Sequence, residues 1–164
     1  MGRVLLALIL LLSQASGPAH GQAGGPFPRA TRDLRQMARE IFLAINEQRH
    51  AYGLQELEWD EKLAEQARSH SSRMAARDEM SHVDPERGNL AARLKRAHIT
   101  WQACAENLFE ERGLDDPVQA AVEGWMKSEG HRQNILRPEL QRTGVGIAAR
   151  SNGALYFTQI FIKP

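Results

Sequence analysis

The sequence predicts an α+β fold in one domain, and three observations carry that reading. Apolar residues recur at helical spacing through most of the chain. Two apolar runs, 143–149 and 154–162, close it, separated by Ser151-Asn152-Gly153. An Asn-Gly between apolar runs is a strong hairpin signal. Helices first and strands last is the α+β order rather than βαβ alternation.

The N-terminus stands apart from that pattern. Arg3 precedes nine apolar residues, Val4 to Leu12, and then Ser13, Ala15, Ser16, Gly17, Ala19 and Gly21. A positive start, a short apolar run and small residues read as a secretory signal peptide over residues 1–21. The run is too short to span a bilayer, so no transmembrane anchor is expected. No Cys follows it, so no lipoprotein anchor is expected either. Residues 22–30 are Gly/Pro-rich and read as a flexible leader, leaving 31–164 as the folded domain. The expected location is secreted or periplasmic. Removing residues 1–21 takes Arg3 and no acid, leaving 20 basic and 20 acidic residues. With neutral charge and no basic cluster interleaved with aromatics, a nucleic-acid partner is not expected. Nothing signals an oligomer, and the monomer is the default.

Leu34, Met37, Ala38, Ile41, Phe42 and Ile45 place a first amphipathic helix over 31–49, ended by Gly53. Residues 54–59 read as a loop. Asp60 caps a second helix over 61–76, with Leu63, Ala64, Ala67, His70 and Met74 on one stripe and His70 partly in the core. Residues 80–89 contain Asp84-Pro85 and Gly88 and form a loop. A short helix bearing Arg93 follows over 90–97, then an extended segment over 98–108. Asp116-Pro117 is a helix start, Asp at the cap and Pro in the first turn. That helix carries Trp125 toward the core and ends near Ser128, with Gly130 breaking it. Glu110-Glu111 read as a solvated loop.

Candidate chemistry lies in three separate places. His82 follows Ser81 in the loop, Glu106 lies on the extended segment, and His131 follows the last long helix. Two imidazoles and a carboxylate are ingredients of a metal or acid/base site. No local spacing rule joins them. Ser128 precedes His131 by three residues, but a Ser in a last helical turn ordinarily bonds its own backbone. Asn107 and Asn134 follow element ends, where they can satisfy backbone groups. Cys104, the lone cysteine, builds no disulfide and reads as a small packed hydrophobe on the same strand face as Glu106.

Taken together, Ser81-His82, Ala105-Glu106-Asn107-Leu108, the run from Trp125 through Ser128, Gly130-His131-Arg132 and Asn134-Ile135-Leu136, Gly144-Val145-Gly146 and Tyr156 to Phe161 resemble the CAP superfamily. The name covers cysteine-rich secretory proteins, antigen 5 and pathogenesis-related proteins. The match is to the small bacterial secreted, SCP-like branch. The resemblance implies a three-layer α-β-α sandwich with a small antiparallel sheet. It implies a cleft holding His82, Glu106 and His131, with His82 and His131 as metal ligands and Glu106 as cleft acid. At the fourth position, where eukaryotic relatives have a second Glu, this chain has Ser128, followed by Glu129. Zinc or another divalent metal is the implied cofactor. The expected function is a non-enzymatic binding module at the cell envelope, with a lipid, glycan or protein as partner. The alternative is a metal-dependent hydrolase using His82, Glu106 and His131 as its catalytic groups.

Overall fold

The computed structural model describes residues 33–164. The expected signal peptide and leader lie outside the described residues. The elements run α1 (Leu34–Ala51), β1 (Glu58–Trp59), α2 (Glu61–Arg77), α3 (Leu90–Arg96), β2 (Ala103–Arg112), α4 (Pro117–Lys127), α5 (Glu129–Ile135), β3 (Arg142–Ala149) and β4 (Ala154–Lys163).

Local chemistry starts each long helix where the sequence says. The Asp33 side chain accepts the N–H of Arg35 at the start of α1. Asp60 accepts from Lys62 and Leu63 to open α2. Asp116 accepts from Gln119, with Pro117 in the first turn of α4. Each satisfies helix donors that have no partner within the helix.

The four strands form one sheet in the order β1-β3-β4-β2. Strands β2 and β3 both pair antiparallel with β4, but β1 pairs parallel with β3. The expected antiparallel sheet is therefore mixed, because residues 54–59 are not all loop. The amide of Glu58 donates to Gln141 O, and that of Asp60 to Thr143 O.

Strand alternation divides the core into two. Ala105, Val145, Ile147, Phe157 and Phe161 pack with Ile41 and Ile45 of α1, Trp125 of α4 and Ile135 of α5. From the opposite face, Ile160 and Ile162 meet Leu63 and Ala67 of α2 and Leu94 of α3. Further along the same face, Leu108, Ala148 and Tyr156 meet Met74 and Ala75. Helices thus cover both faces of the sheet, which is the expected α-β-α sandwich. The Gly144-Val145-Gly146 run shows why two glycines are needed. A Cβ at Gly144 would strike the backbone of Leu63 and Ala64, and one at Gly146 that of Ala67 and Arg68. Helix α2 lies directly on β3, and only glycine leaves room for it.

Three local expectations need correction. Gly130 does not break a helix: α4 ends at Lys127, Ser128 is the junction, and Gly130 lies inside α5. The extended segment does not begin at His98, which sits at φ 53°; β2 begins at Ala103. The strand also runs on through Glu110 and Glu111, so these are not a solvated loop. Glu111 is buried and accepts the N–H of Leu114. The Glu110 carboxylate accepts from the Tyr156 hydroxyl.

Candidate functional site: a His/Glu cluster at the sheet edge

Strand β2 is an edge of the sheet, and the candidate residues gather along it. An open edge presents unpaired backbone groups. Here side chains from α4 and α5 take up two of them. Trp125 Nε1 donates to Leu108 O at 2.9 Å, and Asn134 Nδ2 to Glu106 O at 3.4 Å. Asn134 Nδ2 also donates to Asn107 Oδ1, and Asn107 Nδ2 to His131 O at 3.1 Å. The two asparagines therefore tie α5, and with it His131, to β2. The backbone-satisfying role is the expected one, but Asn107 lies within β2 and Asn134 within α5 rather than after element ends.

His82 arrives from the other layer, on the loop between α2 and α3. That loop is built around Asp84, whose side chain is fully buried. Its carboxylate accepts the backbone N–H of Glu86 and Arg87 and side-chain bonds from Arg73 and Arg77. The Arg73 guanidinium beside it holds the Asp84 carboxyl far below the usual carboxylate range. Upstream, His70 Nε2 lies 2.9 Å from Ser81 O. A carbonyl only accepts, so Nε2 carries the hydrogen. Burial, then the nearby Arg93 charge, lowers the His70 pKa, which favours the neutral ring.

The His82 side chain is 58% exposed, while Glu106 is almost fully buried beneath it. His82 Nδ1 lies 2.9 Å from Glu106 Oε1. The other carboxylate oxygen, Oε2, accepts from Arg93 Nη2 at 2.6 Å. Both partners of that pair are buried, at 3% and 4% exposure. Arg93 Nη2 also reaches His82 O at 3.5 Å. A carboxylate accepts, so Nδ1 of His82 carries the hydrogen, and in the neutral ring Nε2 is left with the lone pair. His131 is half-buried. Its pKa is lowered by burial first and by the charge of His82 second.

The structure joins His82 and Glu106 by a hydrogen bond. His131 stands on α5, which Asn107 and Asn134 tie to the strand that carries Glu106. The two fourth-position candidates differ. Glu129 is exposed, and its Oε1 accepts from Gln133 one turn along α5. Ser128 is half-buried and precedes α5 without a side-chain cap bond. Among the described residues, no group of three or more His, Cys, Asp or Glu is arranged to hold a metal ion. Cys104 shares the Glu106 face, packed against the Leu63–Leu94 cluster. Burial, then Glu106, pushes its thiol up.

Sequence reasoning gave Arg93 no role. Its helix is short, and the carboxylate that buries it lies on a strand 13 residues away. Its place four residues after the Asn89 cap is unremarkable as a pattern. Asp84 was equally silent, since an Asp-Pro in a loop ordinarily means only a turn.

Comparison with known proteins agrees with this fold. The family model described as "CAP: Cysteine-rich secretory protein family" matches residues 42–161. The uncharacterized membrane protein YlbC of Bacillus subtilis is 39% identical over 125 residues, which are 76% of this chain and 34% of that one. The uncharacterized protein YkwD of the same organism is 30% identical over 148 residues, 90% of this chain and 55% of its own. This chain therefore spans between a third and a little over half of the curated relatives it matches. Among solved structures, an extracellular SCP-domain protein from Bacillus anthracis superimposes with TM-score 0.71 at 33% identity, covering 80% of this chain and 41% of that one. No helix among the described residues is long and apolar enough to cross a membrane. The sheet, its two helical layers and the matched span together establish that the chain belongs to the CAP, or cysteine-rich secretory protein, family.

Proposed function

We propose that this protein is a non-enzymatic binding module that works outside the cell or at its envelope, with a lipid, glycan or protein as partner. We further propose that His82 and His131 take a divalent cation. The observation that carries both readings is the engagement of Glu106. One of its oxygens is bonded to Arg93 and the other to His82. A buried carboxylate held by a guanidinium is a poor general base, because taking a proton would unpair the arginine.

The donor set bears on which metal role fits. Metal-bound histidines commonly donate their other N–H to a carboxylate, and His82 is bonded to Glu106 in that way. Its Nε2 lone pair is then the ligand. Burial, then His82, lowers the His131 pKa, which favours the neutral ring that a metal requires. Two nitrogens and no third protein ligand suit a weakly held ion completed by solvent. A catalytic zinc ordinarily has three protein ligands. When bound, such an ion would supply a positive charge and open coordination positions for a ligand's oxygen atoms. This supports the binder over the hydrolase. The extracellular description of the Bacillus anthracis neighbour supports the location.

Zinc calorimetry at pH 7.5 tests the site. Weak binding is expected, lost in the double variant His82→Ala/His131→Ala and reduced below about pH 6.5 as protons compete for the imidazoles. Undiminished binding in the double variant would remove the pair from the proposal. Ester or peptide hydrolysis that disappears with a chelator and with the same double variant would reinstate the hydrolase.

A further inference from the structure

Arg93 faces more than the His/Glu cluster. It also lines an open-mouthed cavity of about 390 Å3, together with Gln66 of α2, Arg87 of the His82 loop, and Arg96 and Ala97 at the end of α3. None of these lining residues is a carboxylate. Only Nη2 of the Arg93 guanidinium is used by Glu106 and His82. Its Nε and Nη1 are buried without a hydrogen-bond partner among the described residues. Both atoms have almost no accessible surface, so Arg93 gives the wall positive charge rather than an open donor.

The rest of the wall points the same way. Arg87 Nη1 makes one long bond, to Ser69 Oγ at 3.3 Å. Arg96 is exposed and forms no ion pair with another described residue. The carbonyl end of α3 would oppose an anion if its oxygens were open. It is closed instead by the N–H groups of Ala97, His98 and Ile99.

We infer that this cavity is a binding site for a tetrahedral oxyanion, a phosphate or phosphate-monoester group. Guanidinium forks match phosphate oxygens in charge and in geometry. Beside the charge of Arg93, exposed Arg87 and Arg96 and half-buried Gln66 line the cavity from a loop, the end of one helix and a second helix. A tetrahedral anion presents acceptors in several directions at once, whereas a planar carboxylate serves a single fork.

The test is a titration of the full chain with inorganic phosphate at pH 7.5, followed by NMR of the arginine Nε–H groups. Arg93 is left intact, because its replacement would strand Glu106. The expected result is a saturable shift at Arg87 and Arg96, competed by sulfate and weakened by added salt. In Arg87→Ala/Arg96→Ala, binding should weaken roughly tenfold or more, from the loss of charge-assisted bonds. Both substituted residues are exposed, so the melting temperature should not move. An absent or unsaturable shift overturns the site, as does equal affinity in the double variant. Acetate binding as tight as phosphate overturns the tetrahedral assignment. Competition against phosphate by glycerol 3-phosphate or by phosphatidic acid vesicles then tells a soluble ester from a lipid headgroup.

Discussion

Arg93→Met should be the most damaging single change near the site that leaves the apolar core intact. The Arg93–Glu106 pair is 2.6 Å long and both side chains are almost fully buried. Removing the guanidinium leaves a buried carboxylate whose one remaining partner is a mostly exposed imidazole. Breaking a buried pair in this way costs about 3–5 kcal/mol. With a urea slope of about 2 kcal/mol per M, the unfolding midpoint should fall by roughly 1.5–2.5 M. Two controls separate charge from packing. Arg93→Met/Glu106→Leu removes both charges and should recover most of the loss, since apolar replacement of a buried pair is commonly near neutral. The single variant should also lose less at pH 5 than at pH 7.5, because protonation discharges the stranded carboxylate. A single variant that costs under about 1 kcal/mol would refute the reasoning, as would a double variant no better than the single.

Other outcomes follow from the same geometry. The folded pKa of His70 is lowered by burial and that of His131 by burial and His82, so the unfolded chain binds their protons more readily. Stability should therefore hold above about pH 6.5 and fall as pH drops from there toward the lowered folded values. Urea unfolding between pH 7.5 and 5 would show that slope, and His70→Gln should flatten it. Gly146→Ala drives a methyl into the backbone of α2 and should cost about 3 kcal/mol or more, seen as a lowered melting temperature or insoluble protein. Cys104→Ser should cost roughly 1–3 kcal/mol by placing a hydroxyl among apolar side chains. Native Cys104 should label slowly with a thiol reagent at neutral pH; rapid labelling would contradict its burial and raised pKa.

Features set by neighbours in sequence were legible, and features set by partners across the fold were not. Asp60 and Asp116-Pro117 start helices through bonds spanning two or three residues. The Asn152-Gly153 hairpin is equally local: Gly153 takes φ 87°, and Asn152 Oδ1 accepts the N–H of Ala154. Strand β1 was missed because two residues carry no periodicity and its partner lies more than 80 residues on. Glu111 reads as solvated in the sequence because its partner, the Leu114 amide, follows the charged run with no signal of its own. Gly130 reads as a helix breaker for a related reason. A glycine in a helix is unfavourable by about 1 kcal/mol, but α5 draws support from elsewhere.

That support explains why the site residues come as motifs rather than as isolated ligands. An α5 of seven residues is too short to be stable alone in water. Ile135 at its end is fully buried in the core, and its carbonyl accepts from buried Arg49 of α1. Asn134 and Asn107 then fix its rotation against β2. The same bonds satisfy the carbonyl of Glu106 at the open edge, so one set of contacts closes the sheet and orients His131. On the other side, Arg93 binds both the Glu106 carboxylate and the His82 carbonyl, fixing the loop and the strand together. Neither histidine is held by its own ring alone. Each stands on a short segment with little stability of its own, clamped to β2 through side chains several residues away. Substitutions at Asn134 or Arg93 should therefore disturb the relation between the imidazoles as much as changes to the imidazoles themselves.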